Sequence, residues 1–477
     1  MIAAVLVLLV GLAGFMAIVV IVGVLSPSPA VPSHRSTTAH LQALYPFQSP
    51  AGLGGRGCYV GQEVLGGSFC YDPWELYRTN QVTNPNIVVA GQIGRGKSSL
   101  VKTYIWRQSA FGRRAVVIDP KGEFTPLAER MGGTVIRLEP GSNVRLNPLD
   151  PGPSGELLSN EDIARRQEQV LMSLAESALR RDLHPEERTA IGLARQEASQ
   201  MFAEPTIGDV VDLMLSPSVD LAASVNTTPA RLAERSRDAA LELRRLCEGD
   251  LRGMFDGPTT VDIDWDGPIV VLDLSALGST GDALGLVMAC AMAWLHSAIA
   301  RADGIQRILL LDEAWYLLSN LALARWLRSM FKLSRQYGLS NIIVVHRMSD
   351  LEAAGGQGSE ATRIAQGLLS DTETRVVYAQ SEGEVADTKR LLGLTDAEAG
   401  VLPRLGRGVA LWKVRQQTFI VDHRVGDWEW EIIDTDQSMR TEPPLEPIDA
   451  GWAPDDDPPL DIAIAHDRYG GHDEAAV

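Results

Sequence analysis

Cysteine is scarce in this chain of 477 residues: there are four, Cys58, Cys70, Cys247 and Cys290. None forms a C-x-x-C pair and no histidine cluster accompanies them, so the spacing of a zinc site or a redox dithiol is missing. They read as buried or incidental reduced thiols, with a Cys58–Cys70 disulfide as the alternative. Positive charge is scarce too. Lysine and arginine number 43 against 61 aspartates and glutamates, a formal net charge of −18, which argues against a protein coated with basic surface for DNA. A narrow basic channel is compatible with that sum, because a sum carries no distribution. Part of the acidity is local. After Arg440 the tail holds roughly ten carboxylates against one arginine, the composition of solvated, disordered chain. Such a tail is expected to solubilise, with docking of a partner as the alternative. No internal repeat is present.

Charge of either sign is missing from Met1 to Leu25. As a helix rising ~1.5 Å per residue, this run is long enough to cross the ~30 Å hydrocarbon core of a bilayer. A cleaved signal peptide is the rival reading, but the basic n-region is lacking and the apolar run exceeds the usual h-region of about 7–15 residues. Residues 1–25 are therefore expected to be a retained transmembrane anchor. The "SPSPAVPS" that follows reads as an extended, flexible spacer.

What is present is a globular body. Hydrophobic residues make up 45% and charged residues 22% of the chain, enough to bury a core, and the length leaves room for two or three domains at ~150 residues each. A glycine-rich stretch, Ala51 to Phe69, contains the short alternating pieces "CYVGQEV" and "SFCYD", read as a small antiparallel element. From Asn86 the texture becomes strand, turn, helix. "NIVVAG", "RAVVIDPKGE" and "TVIRLEP" are buried strands by their β-branched runs, and "KSSLVKTYIWRQSA" is a helix. From about Glu161 to Arg252 apolar residues recur at three- and four-residue spacing between charges of both signs, a helical pattern. Its arginine-rich faces read first as solvated surface with i,i+4 pairs, and nucleic-acid contact is the alternative. Strands return at "PIVVLDLSAL", "RILLLDEAW", "NIIVVHR" and "TRVVYAQ", with helices between them, and "GVALWKV" and "QTFIVDHR" close the core as an antiparallel pair. Alternation of buried strands with helices predicts an α/β fold, a mostly parallel sheet covered on both faces.

The expected organisation is an anchor at 1–25, a linker with a small β element at 26–81, the first part of the core at 82–150, an all-helical insert at 151–258, the second part of the core at 259–440 and the acidic tail at 441–477.

Within that frame "GQIGRGKS", Gly91 to Ser98, fits G-x-x-x-x-G-K-[ST] between a buried strand and a helix, where a phosphate-binding loop belongs. Gly91, Gln92, Ile93, Gly94, Arg95 and Gly96 supply the wrapping backbone, and Ser99 follows in the first helical turn. Lys97 reaches the β- and γ-phosphates, and Ser98 offers a hydroxyl to Mg²⁺. The helix N-terminus adds partial positive charge. The expected ligands are thus ATP and Mg²⁺. A metal held this way needs a carboxylate on a second strand. Asp312 of "RILLLDEAW" fits, binding through water, and Glu313 is placed to orient or deprotonate the attacking water. Adjacent Asp and Glu point to hydrolysis rather than to a slow switch. "DPKGE", Asp119 to Glu123, is a turn by its Pro and Gly and is uninformative alone. "NIIVVHRMSD", Asn341 to Asp350, is a buried strand that runs directly into His346 and Arg347. In a parallel α/β sheet the carboxyl ends of strands carry the chemistry, so His346 is expected to face the γ-phosphate. Arg347 is read either as a partner of Asp350 or as a residue of an assembly.

Taken in order, "AGQIGRGKSSL", "VVIDPKGE", "RLNPLD", "GMFDGPTTVDI", "IVVLDLSAL", "LLLDEAWYLL" and "SRQYGL" resemble the motor domain of the conjugation and type IV secretion ATPases, in the HerA/FtsK branch of RecA-like motors. The resemblance covers about Val82 to Arg424. "FDGPT" and "DEAW" favour the channel-assembly ATPases of the TraC kind, with the DNA-feeding coupling proteins as close rivals. The resemblance implies a RecA-like P-loop core with a helical insert, and a ring, usually a homohexamer, with ATP between subunits. It also implies partners among the channel proteins. DNA is the substrate if the coupling reading holds. A ring of this kind needs an arginine from the neighbouring subunit. Arg335 of "SRQYG" matches that position first, while Arg375, Arg404 and Arg407 are weaker candidates. Relatives of the TraC kind carry a large N-terminal domain, for which only about Gln42 to Val82 is available here. Their strand after the acidic pair ends in a Thr-Gln sensor, replaced here by Val345-His346. Because ATP is cytosolic, the body is expected on the cytoplasmic side of the inner membrane, with Arg35 the nearest positive charge to the anchor. Three functions compete: a membrane-anchored secretion motor, a DNA-translocating coupling ATPase, and a nucleotide-dependent scaffold without catalysis.

Overall fold

The computed structural model describes residues 52–434, apart from 65, 152–158, 250, 262, 278–285, 292–293, 296–303, 315–317, 319–320 and 348–358. The expected anchor, the spacer, the acidic tail and Asp350 lie outside the described residues. Among the described residues no helix is long and apolar enough to cross a membrane.

Eleven strands form one sheet in the order β2-β1-β11-β10-β9-β3-β8-β7-β4-β6-β5. They are β1 (Cys58–Glu63), β2 (Ser68–Tyr71), β3 (Ile87–Ala90), β4 (Arg114–Asp119), β5 (Thr134–Arg137), β6 (Ile269–Asp273), β7 (Arg307–Leu311), β8 (Leu339–Val345), β9 (Thr374–Val377), β10 (Val409–Val414) and β11 (Gln417–His423). From β9 to β5 every neighbouring pair is parallel. From β9 back to β2 every pair is antiparallel. The α/β reading therefore holds, and the β1–β2 hairpin does not stand apart: it zips onto β11 and extends the same sheet.

The parallel strands are β-branched and buried on both faces, as strands sandwiched by helices must be. Alternate residues face two separate cores. Val88, Ala90, Val116, Ile118, Ile343 and Val345 face one, while Ile87, Val89, Ala115, Val117, Ile342 and Val344 face the other. The second core is covered by α1 (Pro73–Arg78), α2 (Lys97–Ser109), α3 (Thr125–Met131) and the hairpin residues Phe69 and Tyr71.

The helical segment between β5 and β6 comprises α4 (Asn160–Leu179), α5 (Pro185–Met201), α6 (Ile207–Leu215), α7 (Val219–Ser224) and α8 (Pro229–Cys247); α4, α5, α6 and α8 pack into the first core, while Ala222 of α7 sits in a separate small cluster with Ala190 and Leu232. Ser159, Thr206, Ser218 and Thr228 each cap one of these helices by accepting a backbone N–H from the first turn, which satisfies donors the helix itself cannot. Asn147 of "RLNPLD" ties the segment to the sheet by donating to the Pro205 carbonyl at 3.0 Å. Several arginines of this segment are met by carboxylates: Arg181 by Glu187, Arg188 by Glu176, Arg235 by Glu186, Arg244 by Asp212 and Glu248, and Arg245 by Glu242; Arg166 and Arg195 instead donate to the Asp150 carbonyl and the Ser199 hydroxyl, and Arg231 and Arg237 are exposed. The paired positions fit the surface expected from the charge pattern.

The remaining helices are α9 (Leu321–Leu333), α10 (Glu360–Asp371), α11 (Glu382–Leu392), α12 (Asp396–Val401) and α13 (Asp427–Ile433). Residues 286–291 are helical too. Cys58 and Cys70 are not cross-strand partners, since Cys58 faces Tyr71 and Cys70 faces Tyr59.

Candidate nucleotide site

β3 ends at Ala90 and the loop begins at Gly91, which is fixed by what lies beneath it. A Cβ there would come within 2.5 Å of the Tyr378 Cβ, so a side chain is excluded. Gly94 and Gly96 have φ of 75° and 110°, a region costly for other residues. The Gln92 N–H donates to the Ala379 carbonyl at 3.1 Å, and the Gly408 N–H donates to the Arg95 carbonyl at 3.0 Å. The loop is thus pinned from β9 on one side and from the 402–408 loop on the other. Ile93 at its tip is 77% exposed.

α2 starts at Lys97, immediately after Gly96. The Lys97 ammonium is buried and donates to the Gly91 and Gln92 carbonyls at 2.6 and 2.8 Å. Burial pulls its pKa down to about 8, and the Asp312 charge opposes that pull. Ser98 and Ser99 follow, half-buried, in the first turn.

The sheet order brings the remaining groups to the same edge. β8 lies between β3 and β7, and β4 lies on the other side of β7. The residues after β7 are Asp312 and Glu313, both buried. Burial raises the Asp312 pKa to about 6, reinforced by the adjacent Glu313 charge. Glu313 has φ of 53°, a left-handed backbone that costs a residue with a Cβ roughly 1–2 kcal/mol. Its N–H donates to Asp312 Oδ1 at 3.1 Å.

The Glu313 carboxylate is held from both flanking strands. His346 Nε2, just past β8, lies 2.6 Å from Glu313 Oε1, and the same oxygen forms an ion pair with Lys121, just past β4. Burial pushes the Glu313 pKa up, but the bonds from His346 and Lys121 outweigh it and hold it at about 2. Lys121 Nζ lies 3.2 Å from His346 Nε2. The turn that carries Lys121 is built by Asp119: one carboxylate oxygen accepts the N–H groups of Lys121 and Gly122, and the other accepts that of Phe124 at 2.8 Å.

The structure therefore brings together Gly91 to Ser98, Asp312, Glu313 and His346. It sets Arg335 apart, exposed ahead of the amino end of β8 and so at the opposite edge of the sheet from the loop. Arg375 lies on β9 and donates to the Ser370 carbonyl at 2.7 Å. Arg404 and Arg407 are exposed, in the stretch whose Gly408 touches the P-loop of the same chain.

Sequence reasoning missed Lys121. The signal available was a buried strand ending, like the P-loop strand, in a charged turn. What made it decisive was the adjacency of β4 and β7.

A glycine-rich loop at a helix start, with a lysine at its mouth, a hydroxyl and a buried carboxylate, forms a set that fits a nucleoside triphosphate with Mg²⁺.

Comparison with known proteins finds similar sequences and folds. An AAA-like domain family matches residues 76–151. The chain is 23% identical over 321 residues to the protein TraC of Escherichia coli, an alignment covering 66% of this chain and 34% of that protein. It is 21% identical over 286 residues to the type IV secretion system protein CagE of Helicobacter pylori, covering 57% of this chain and 27% of CagE. The chain thus spans about a third or less of the length of these relatives. Among solved structures, VirB4 of Thermoanaerobacter pseudethanolicus matches with a TM-score of 0.64 at 24% identity, covering 80% of this chain and 100% of that one. The plasmid coupling protein TrwB in complex with a non-hydrolysable ATP analogue matches with a TM-score of 0.54 at 15% identity, covering 84% of this chain and 96% of that one. These likenesses establish the fold, a P-loop α/β core with a mostly parallel sheet. In sequence the chain is similar to TraC and to the type IV secretion system protein CagE, and in fold to VirB4 and TrwB.

Proposed function

We propose that this chain is a motor ATPase that hydrolyses ATP to drive a conjugative or type IV secretion apparatus. The observation that carries the reading is the convergence of Lys97, Asp312, Glu313 and His346 at the carboxyl ends of β3, β7 and β8. Lys97 exchanges two neutral carbonyl acceptors for phosphate oxygens when ATP enters. Ser98 and Asp312 would hold Mg²⁺, which would supply neutralisation of the phosphate charge. Glu313 orients the attacking water and takes its proton, and His346 stands beside it in the sensor position. Arg335, on the far edge of the sheet, is placed to serve a neighbouring subunit rather than its own loop, as a homohexameric ring requires. The anchor at 1–25 would hold the body at the cytoplasmic face of the inner membrane, next to the channel proteins it serves.

The coupling reading, in which DNA is the substrate, stands second: several arginines of the helical insert are paired with carboxylates, while Arg231 and Arg237 on α8 are exposed and could meet phosphates. The test compares phosphate release by the wild type and by Glu313→Gln, with and without DNA. Loss of about 10²- to 10⁴-fold is expected from removing a general base. Equal, negligible rates in both proteins would favour the non-catalytic scaffold, and stimulation by DNA would restore the coupling reading.

A further inference from the structure

Four charged groups crowd the mouth of the P-loop: the ammoniums of Lys97 and Lys121 and the carboxylates of Asp312 and Glu313. Their bonding is uneven. Lys97 is satisfied by the loop carbonyls of Gly91 and Gln92, whereas Lys121 is spent on Glu313. Lys97 follows β3 and Lys121 follows β4, and since β3, β8, β7 and β4 are parallel neighbours, both ammoniums stand at the same carboxyl edge of the sheet.

The base of Lys121 is fixed and its side chain reaches solvent. The backbone of Lys121 is fixed by the buried Asp119 carboxylate, while its side chain is 39% exposed against 8% for Glu313. Glu313 Oε1 accepts from Lys121 on one flank and contacts His346 on the other. An oxygen held in this way is turned towards the two strand ends rather than towards a water in the cleft. Entry of a triphosphate changes the balance. It brings negative charge towards the buried Glu313 carboxylate, and the solvent-accessible cation already bonded to that carboxylate is Lys121.

Resting on the ATP-site reading above, we propose that Lys121 is a counter-ion that changes partner. It holds Glu313 when the site lacks a γ-phosphate and moves to the γ-phosphate when ATP is bound, releasing Glu313 to the water. Lys121 is then the residue that distinguishes triphosphate from diphosphate, and His346 keeps Glu313 positioned once the lysine has left. The same exchange returns Glu313 to Lys121 after phosphate departs.

The test is a binding experiment on the full chain. The Mg²⁺ complexes of the β,γ-imido analogue of ATP and of ADP are titrated calorimetrically into wild type, Lys121→Ala, Lys121→Arg, Glu313→Gln and the Lys121→Ala/Glu313→Gln double variant. Circular dichroism and melting curves establish that each is folded. One charge-assisted hydrogen bond is lost in Lys121→Ala, so analogue affinity should fall about tenfold. ADP affinity should stay within about twofold, because ADP lacks the group the lysine reads. Lys121→Arg should retain most of the preference for the analogue. Glu313→Gln should tighten the analogue about five- to tenfold by freeing the lysine, and that gain should vanish in the double variant. Equal effects on analogue and ADP, or an unchanged preference in Lys121→Ala, would overturn the inference. A wild type that binds neither nucleotide would overturn the ATP-site reading and this inference with it.

Discussion

Arg107, in the last turn of α2, holds the P-loop helix to three other parts of the chain. Its Nε and Nη2 donate to the two carboxylate oxygens of Glu429 on α13 at 2.8 and 2.6 Å. Nη1 donates to the Tyr59 carbonyl on β1 at 2.8 Å, and Nη2 also donates to the Arg424 carbonyl at 2.6 Å. Glu429 is 4% exposed. Burial pushes its carboxyl up, and the bond from Arg107 outweighs that and holds it below the usual carboxylate range. Arg107→Ala leaves this carboxylate buried without its fork of donors. Removing one partner of a buried pair costs roughly 3–5 kcal/mol. Because Arg107 keeps some solvent contact, about 3 kcal/mol is the appropriate figure. At about 2.1 cal/mol/K of unfolding entropy per residue, a body of this size shifts by about 1–1.5 °C per kcal/mol, so the melting temperature should drop by about 3–5 °C. The assay is a thermal melt at neutral pH, supported by urea unfolding. Arg107→Leu/Glu429→Leu removes both charges, and an apolar pair in place of a buried ion pair is close to neutral, so it should recover about half of the loss. The strap lies at the far end of α2 from Lys97, so nucleotide affinity should change less than about threefold. A drop below 2 °C in the single variant, or a double variant no more stable than the single, would refute the reasoning.

Two other predictions concern histidines. His346→Ala should slow hydrolysis about 10- to 100-fold while analogue affinity holds within about threefold; unchanged hydrolysis would mean that β8 simply ends at solvent. His423 lies 2.9 Å from the Thr103 hydroxyl, and burial, with the Arg107 charge, pulls its pKa from 6.5 down to about 4. The unfolded chain therefore takes up the proton first as pH falls, so this contribution is complete above pH 6.5 and is lost between 6.5 and about 4. It amounts to at most about 3 kcal/mol. His423→Asn should flatten the acid limb of the stability curve by up to that amount in urea titrations; an unchanged limb would remove His423 from the linkage.

The parts of the site that sit on one local pattern were legible in the sequence. "NIVVAGQIGRGKS" carries its strand, its turn and its helix start in one stretch, and "RILLLDE" carries a buried strand with its carboxylates. Each needs only β-branched runs and glycines at fixed spacing. His346 was legible because a buried strand that stops in charge at the P-loop edge has few other uses. Strand order was not legible. Nothing local says that β8 enters between β3 and β7, or that β4 lies next to β7, and the role of "DPKGE" depends entirely on that second adjacency. The hairpin was legible as a hairpin, whereas its attachment to β11 is a pairing between residues far apart in the chain. Arg335 belongs to a third class, because its expected target is a phosphate on another subunit.

The sheet's order has a consequence for how the chain is made. β3, which carries the P-loop, pairs only with β8 and β9, and β1 pairs only with β2 and β11. The P-loop strand must therefore wait for residues 339–377, and the hairpin must wait roughly 350 residues for its partner. At about 5–20 residues per second that is a delay of about 20–70 s on a ribosome, with apolar edges unpaired. Such long-range pairings fold slowly. A nascent chain arrested before β8 should be unable to retain nucleotide and should depend on chaperones, so the candidate nucleotide site is completed late in the chain's own synthesis.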